Sequence, residues 1–252
     1  MSRTVVYTAI FGDQVKLYPQ PELEGIDYIC FSDRPHQAKG WKVVECKPMF
    51  NSDPFRNNRY YKLHPHLFLK DYDYSIYIDG NFVVLDSPLS MMKKRLQSVN
   101  MLVFNHVYTK TDPRDCIYEE HEAILRLYQE KKILKDNLVA MSRLIDYYRS
   151  KDYPRHNGLI KGGVLIRKHM EPEVINLMER WWYFIKNYSK RDQLSFNFVA
   201  WEQGFKFEYL PGDIRRGNPW FFMVSKNDRN LKLSLFKYKF KRTLSSIAKL
   251  FG

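Results

Sequence analysis

Cysteine is scarce in this sequence: Cys30, Cys46 and Cys116 are the only three in 252 residues. An odd number at this spacing fits neither a disulfide framework nor a zinc ligand set. Two of them fall in apolar, strand-like runs, where a thiol packs as a small hydrophobe. A reducing compartment is therefore expected. Long apolar runs are also missing. No window approaches the 18 residues of a membrane span, so none is expected. The chain enters its first strand without a basic stretch followed by an apolar one, so no signal peptide is expected. There is no internal repeat, no low-complexity linker, and no Gly-X-Ser-X-Gly elbow of the kind a hydrolase would use.

Acidic residues are the minority charge, 28 Asp and Glu against 41 Lys and Arg, for a net charge of +13. Such a balance suits nucleic acid, anionic lipid or phosphorylated substrates. Paired RNP aromatics and a basic helix-turn-helix are both missing, so no nucleic-acid partner is expected. The charge is also uneven. Residues 226–252 hold eight Lys and Arg against one Asp, a net of +7, which leaves +6 for the rest.

What is present suits one globular domain, residues 1–225, with a basic tail at 226–252. The aromatic share of 16% fits an aromatic core and equally a site that binds sugar rings. Strands are predicted at Thr4–Ile10, Asp27–Phe31, Trp41–Glu45, Tyr74–Ile78, Met101–Phe104, Gly162–Arg167 and Phe205–Leu210. Helices are predicted at Arg56–Leu69, Leu89–Leu96, Glu119–Lys132, Asn137–Ser150, Pro172–Tyr188 and Asp192–Glu202. Alternating strands and helices imply an α/β domain. In such sheets ligands sit at the carboxyl ends of the strands. The informative polar residues are then Gly12-Asp13, Ser32-Asp33, Asp79-Gly80-Asn81 and Asn105-His106.

Asp79-Gly80-Asn81 closes a strong apolar strand, and its two polar side chains can face one ligand. A carboxylate there can hold a divalent cation, which can neutralise a diphosphate. Asp-Gly-Asn is equally a common turn composition. Arg59 and Lys62 share a helix face and offer charge to phosphate oxygens; a solvated basic face has the same pattern. Asp192 either caps its helix or acts beside a sugar pocket as a base or a hydroxyl-positioning group. Gly162 and Gly163 allow backbone to approach a ligand closely, or form a plain turn. His106 ends a strand, where an acceptor or donor hydroxyl could meet it; a lone histidine is more often structural. Glu119 and Glu120 read as first-turn acids favoured by the helix dipole, and His64 and His66 as structural.

The order of these pieces carries more than any one of them. Tyr7-Thr8-Ala9-Ile10-Phe11-Gly12 is followed by Cys30-Phe31-Ser32-Asp33, then Arg59 with Lys62-Leu63-His64-Pro65-His66. Ser75 to Asn81, Cys116-Ile117-Tyr118-Glu119-Glu120, Trp181-Trp182 and Arg191-Asp192-Gln193-Leu194-Ser195-Phe196 complete the series. From Val5 to Val199 this resembles the TOD/MUCI-type glycosyltransferase-like domain. The resemblance implies a GT-A type fold, a Rossmann-like mixed sheet that binds a nucleotide-diphospho-sugar donor. It implies Tyr7, Thr8, Ala9 and Asp33 near the nucleotide, and Arg59 and Lys62 facing the diphosphate or donor sugar. Asp79, Gly80 and Asn81 would take the place of an Asp-X-Asp motif, with Asp79 and Asn81 holding Mn2+ or Mg2+. Gly162, Gly163, Asp192 and Gln193 would line the sugar site. Asn81 departs from the pattern: a neutral amide holds a cation less firmly than a carboxylate, and Arg59 and Lys62 would supply part of the neutralisation.

The expected function is glycosyl transfer to a glycan or lipid-linked acceptor. Asp192, Asp79 and His106 are the candidate catalytic residues. A non-catalytic sugar- or nucleic-acid-binding basic protein is the other reading. In the tail, Leu233, Phe236, Phe240, Leu244, Ile247 and Phe251 form one stripe at helical spacing, flanked by Lys237, Lys239, Lys241 and Arg242. A basic amphipathic helix suits an anionic membrane surface, and equally a helix docked on its own domain. A cytoplasmic location at the inner membrane face is expected.

Overall fold

A computed structural model describes residues 2–12, 16–51, 53–225, 227–228 and 230–248, the last six by backbone alone. Asp13 and Phe251 lie outside the described residues, as do the side chains of Leu244 and Ile247. In chain order the elements are β1 (Thr4–Ile10), β2 (Ile26–Ser32), β3 (Lys42–Glu45), α1 (Pro54–Leu63) and α2 (Pro65–Phe68). Then come β4 (Tyr74–Ile78), β5 (Phe82–Val84), α3 (Leu89–Arg95), β6 (Met101–Asn105), α4 (Ile117–Lys131) and α5 (Leu138–Ser150). The chain continues through β7 (Ile160–Arg167), α6 (Pro172–Asn187), α7 (Phe196–Glu202), β8 (Glu208–Leu210), β9 (Phe221–Met223) and α8 (Leu231–Ala248).

Seven strands form one mixed sheet in the order β3-β2-β1-β4-β7-β6-β8. Six of them run the same way, and β7 is antiparallel to both of its neighbours, β4 and β6. The apolar run of β1 is buried along its whole length because both faces of the sheet are covered. Its alternate residues part accordingly. Val5, Tyr7 and Ala9 join the core under α1, α4, α5, α6 and α7, whereas Val6 joins the core on the α3 side. This is an α/β domain with a Rossmann-like mixed sheet flanked by helices, as the sequence implies.

Three differences from the sequence reading have local causes. The helix expected over Arg56–Leu69 breaks at His64, whose backbone leaves the helical region because Pro65 follows it. The helix expected over Asp192–Glu202 is a 3-10 turn at Asp192–Leu194 followed by α7. A second sheet, β5 paired antiparallel with β9, has too few residues per strand to be seen in the sequence. Leu231, Leu235 and Tyr238 of α8 pack on that sheet against Val83, Leu85, Phe222 and Val224. All three cysteines are free thiols, with Cys30 and Cys116 buried.

Candidate active site

The site is assembled at the carboxyl ends of the parallel strands. β1 ends in a turn at Gly12, whose φ of +79° lies in the left-handed region; a Cβ there would sit 3.0 Å from Pro54 Cβ. The Gly12 amide donates to Asp33 Oδ2 at 3.2 Å, so Asp33 braces this turn from the end of β2. Pro54 opens α1, and the Asp53 side chain caps it by accepting from the Arg56 amide at 2.9 Å. The helix thereby carries Asn58, Arg59 and Lys62 across the strand ends. Asn58 donates to the Ala9 carbonyl and lies 3.3 Å from the Tyr77 hydroxyl.

β4 delivers Asp79. Its amide donates to the Gly163 carbonyl at 2.9 Å, where the antiparallel β7 begins to pair with β4. The Tyr77 hydroxyl donates to Asp79 Oδ1 at 2.9 Å. A Cβ on Gly163 would come within 3.2 Å of Asp79 Oδ2, so this glycine leaves room for the carboxylate. Asn81 is held by Val224: its amide nitrogen donates to the Val224 carbonyl at 3.3 Å, and the Val224 amide returns a bond to the Asn81 carbonyl at 2.8 Å.

Gly162 makes the corresponding room on the other side of β7. A Cβ there would lie 3.1 Å from Asp192 Oδ2 and 3.2 Å from Lys62 Nζ. Asp192 is buried and paired with the Lys62 ammonium, and Arg59 Nε stands 3.2 Å from the same oxygen. Lys62 also donates to the Gly162 carbonyl at 2.7 Å. Burial alone would raise the Asp192 pKa; Arg59 and Lys62 together outweigh it and hold the carboxyl well below the usual carboxylate range. Burial pulls the Lys62 ammonium below its ordinary value, against the opposing pull of Asp192. Beneath Lys62, Tyr7 donates to the Lys62 carbonyl at 2.6 Å, and the buried Arg167 reaches the same oxygen at 3.1 Å.

These pieces meet along a cleft of about 780 Å³, lined among others by Ala9, Gly12, Asn58, Arg59, Asp79 and Asn81. A sequence profile of the TOD1/MUCI70 glycosyltransferase-like domain matches residues 2–209, which include every one of these groups. The chain belongs to the TOD1/MUCI70 glycosyltransferase-like family. Among curated proteins no sequence matches it. One solved structure it resembles is an apo bifunctional glycosyltransferase, WbbM, with a TM-score of 0.46 and 9% identity, over 83% of this chain and 38% of that one. The chain thus spans well under half the length of that enzyme's chain.

The residues that the TOD1/MUCI70 resemblance assigns to the ligand divide into two groups. Ala9, Arg59, Asp79, Gly80 and Asn81 line the cleft. Tyr7 and Thr8 do not: both side chains are fully buried, because β1 is covered on both faces along its length. Lys62 lies behind Gly162 rather than in the cleft. Gln193 is committed to the backbone, its Nε2 donating to the Ile160 carbonyl at 2.8 Å. His106 is also enclosed, 3.4 Å from an Arg114 nitrogen and 3.9 Å from Glu120, and burial pushes its pKa down to about 4. It is not placed to meet a hydroxyl.

Of the two roles expected for Asp192, a base or a hydroxyl-positioning group, its surroundings disfavour the base. A general base needs a free lone pair and a pKa near the working pH; Asp192 has two cations on one oxygen and a strongly lowered pKa. It is also no helix cap, since among the described residues the one backbone amide that donates to its side chain is that of the adjacent Gln193, at 3.1 Å. Sequence reasoning missed Asn58, Tyr77 and Arg167. Tyr77 is within the quoted strand motif and was legible as a polar tip two residues before Asp79; Arg167 closes an apolar strand with no local signal. A surface trio, Asp115, Glu119 and His156, holds ligand atoms within 4.8 Å of one another, but His156 is bonded to Asp115 at 2.7 Å and the group lies outside the cleft.

Proposed function

We propose that the chain transfers a glycosyl group from a nucleotide-diphospho-sugar to the hydroxyl of a glycan or lipid-linked acceptor, in surface polysaccharide or glycolipid assembly. The observation that carries this reading is the meeting of Ala9–Gly12, Asn58–Arg59 and Asp79–Asn81 in one cleft. A cation and a carboxylate face each other there at parallel strand ends, where α/β sheets bind nucleotides. As the bond to the sugar breaks, negative charge grows on the leaving diphosphate. Arg59 offers forked donors to that charge, and a preorganised, largely buried donor is worth more than one in bulk water. Lys62 adds positive potential from behind Gly162. Asp192 is the counter-charge that fixes both cations, and so positions them.

Asp79 and Asn81 fit Mn2+ or Mg2+. One carboxylate and one amide oxygen are hard donors, and Mg2+ commonly takes one or two carboxylates and completes its shell with water and substrate phosphates. When bound, the cation would neutralise diphosphate charge. Calorimetry with a panel of nucleotide sugars, with and without Mn2+, tests the reading. We expect a nucleotide sugar to bind, Mn2+ to tighten it, and Asp79→Ala to abolish that increment and slow turnover by roughly 10²–10³-fold. An Asp79→Ala chain with an intact Mn2+ response and near-normal turnover removes the metal role. Failure of every nucleotide sugar to bind removes the reading itself.

The same reading places the protein at the inner face of an anionic membrane. Among the described residues no helix is long and apolar enough to cross one. The observation behind a surface role is that α8 has two apolar faces. Leu231, Leu235 and Tyr238 are spent on the second sheet. Leu233, Phe236 and Phe240 point outward, 47%, 68% and 57% exposed, with the two phenylalanine rings stacked 6.3 Å apart. Lys232, Lys237, Lys239, Lys241 and Arg242 lie on the same helix, which has no acid. Apolar rings flanked by cations match lipid tails beneath anionic headgroups. The full chain should sediment with vesicles containing phosphatidylglycerol but not with phosphatidylcholine alone, and the double substitution Phe236→Ser, Phe240→Ser should release it. Undiminished sedimentation of that variant ends the proposal.

A further inference from the structure

A second set of charges adjoins the proposed donor site without belonging to it. Lys161 precedes the Gly162–Gly163 pair on β7, and Arg191 precedes Asp192. Arg114 lies in the loop before α4, and Arg215 lies between β8 and β9. Lys161 feels Arg114, Arg191 and Arg215 together with one carboxylate, Glu120. Glu120 is buried and receives Arg114 Nη2 at 2.7 Å and Nε at 3.0 Å, with Arg191 Nη2 at 3.5 Å. Arg114 has a second acid, Asp112, at the surface. Arg215 donates to the Thr111 hydroxyl at 3.1 Å. Four cations are thus gathered around Glu120 and Asp112, with Asp192 beside Arg191 and the Asp213 carboxylate accepting from the Arg215 amide at 2.9 Å, and burial keeps His106 beside them neutral at ordinary pH.

Two groups in this set are left over. Among the described residues, the Lys161 ammonium makes no hydrogen bond or ion pair. Arg191 Nε is buried without an acceptor. Burial pushes the Lys161 pKa down to about 8; the three arginines push the same way and Glu120 opposes them. A half-buried cation held among like charges is unfavourable unless an anion joins it. The place borders the Lys62–Asp192 pair: Gly162, next to Lys161, accepts from Lys62, and Gln193, next to Asp192, ties the Ile160 carbonyl to Arg191. None of these cations lines the cleft that holds Arg59 and Asp79.

We propose that Lys161, Arg191 and Arg215 form an anion subsite for the acceptor, which therefore carries a phosphoryl or carboxylate group near the hydroxyl that receives the sugar. The assignment to an acceptor rests on the Asp79 cleft being the donor site. The anion is the partner that the Lys161 ammonium lacks, and it fixes the acceptor's position relative to Gly162. Phosphoryl and carboxylate groups share this chemistry, since forked guanidinium donors match both.

The full chain carrying 13C-labelled lysine tests this, with the Lys161 signal assigned by its loss in Lys161→Met. The signal is followed against pH alone, with inorganic phosphate, and with glucuronate. A subsite raises the Lys161 titration by about one pH unit when occupied. The response should weaken in Arg215→Gln and persist in Arg59→Gln. Movement with phosphate alone identifies a phosphorylated acceptor, and movement with glucuronate an acidic sugar. No movement with either anion, or a response lost in Arg59→Gln and kept in Arg215→Gln, overturns the subsite. Nucleotide-sugar calorimetry is read separately, so a failed donor site and a failed anion subsite give different results.

Discussion

At the residue scale a buried ion cluster stands behind the cleft, Lys62 and Arg59 on one oxygen of Asp192. Arg59 is close to Asp192 but poorly aligned, since its Nε makes no hydrogen bond, whereas Lys62 is bonded on both sides. Removing the carboxylate while keeping its shape leaves the Lys62 ammonium buried with no counter-charge. Breaking a buried pair in this way costs about 3–5 kcal/mol. The pH dependence has a definite sign. Without Asp192, the folded-state pKa of Lys62 falls further below its unfolded value, so the unfolded chain binds more protons and stability rises with pH. Asp192→Asn should therefore unfold at a lower temperature than wild type at neutral pH, and the gap should narrow as the pH is raised through the folded pKa of Lys62. Thermal unfolding at several pH values measures this. A constant gap would mean that the loss comes from packing rather than from the stranded charge.

At the element scale, what the sequence disclosed follows from how each element is buried. β1 and β4 are covered on both faces and read as continuous apolar runs, so their bounds are legible to the residue. α6 reads equally well, because its apolar stripe runs from Val174 through the Trp181–Trp182 pair to Ile185 and enters the core. β5 and β9 were not legible, since each is three residues long and its partner is distant in the chain. The strand-end motif at Asp79 could be found because a strand end is a local event. The Lys62–Asp192 pair could not, because 130 residues separate its members and nothing in either segment names the other. Asp192 looked like a helix cap for the same reason: the local pattern shows the amides it might accept from, and not the two cations that claim it. Glu120 is the same case, a first-turn acid by sequence that the fold turns inward onto Arg114.

At the scale of the whole molecule, α8 joins the charge distribution to the cleft. It covers Val83, Leu85, Phe222 and Val224 with one face, and Val224 in turn bonds Asn81 at the cleft. Ending the chain at Ser225 would remove the net charge of +7 in residues 226–252 and uncover those four apolar side chains together. An exposed apolar patch of that kind promotes self-association. Loss of membrane binding after such a truncation would then say little about lipid recognition, because the fold beneath the helix changes too. The two manipulations should separate cleanly. The truncated chain should unfold at a lower temperature, sediment as larger species, and bind nucleotide sugar less tightly through the loosened Asn81. The Phe236→Ser, Phe240→Ser chain alters outward-facing side chains only and should keep its stability within about 0.5 kcal/mol. Thermal unfolding and sedimentation velocity on both proteins measure the difference. If truncation leaves stability and sedimentation unchanged, α8 does not support the second sheet and its link to the cleft falls with it.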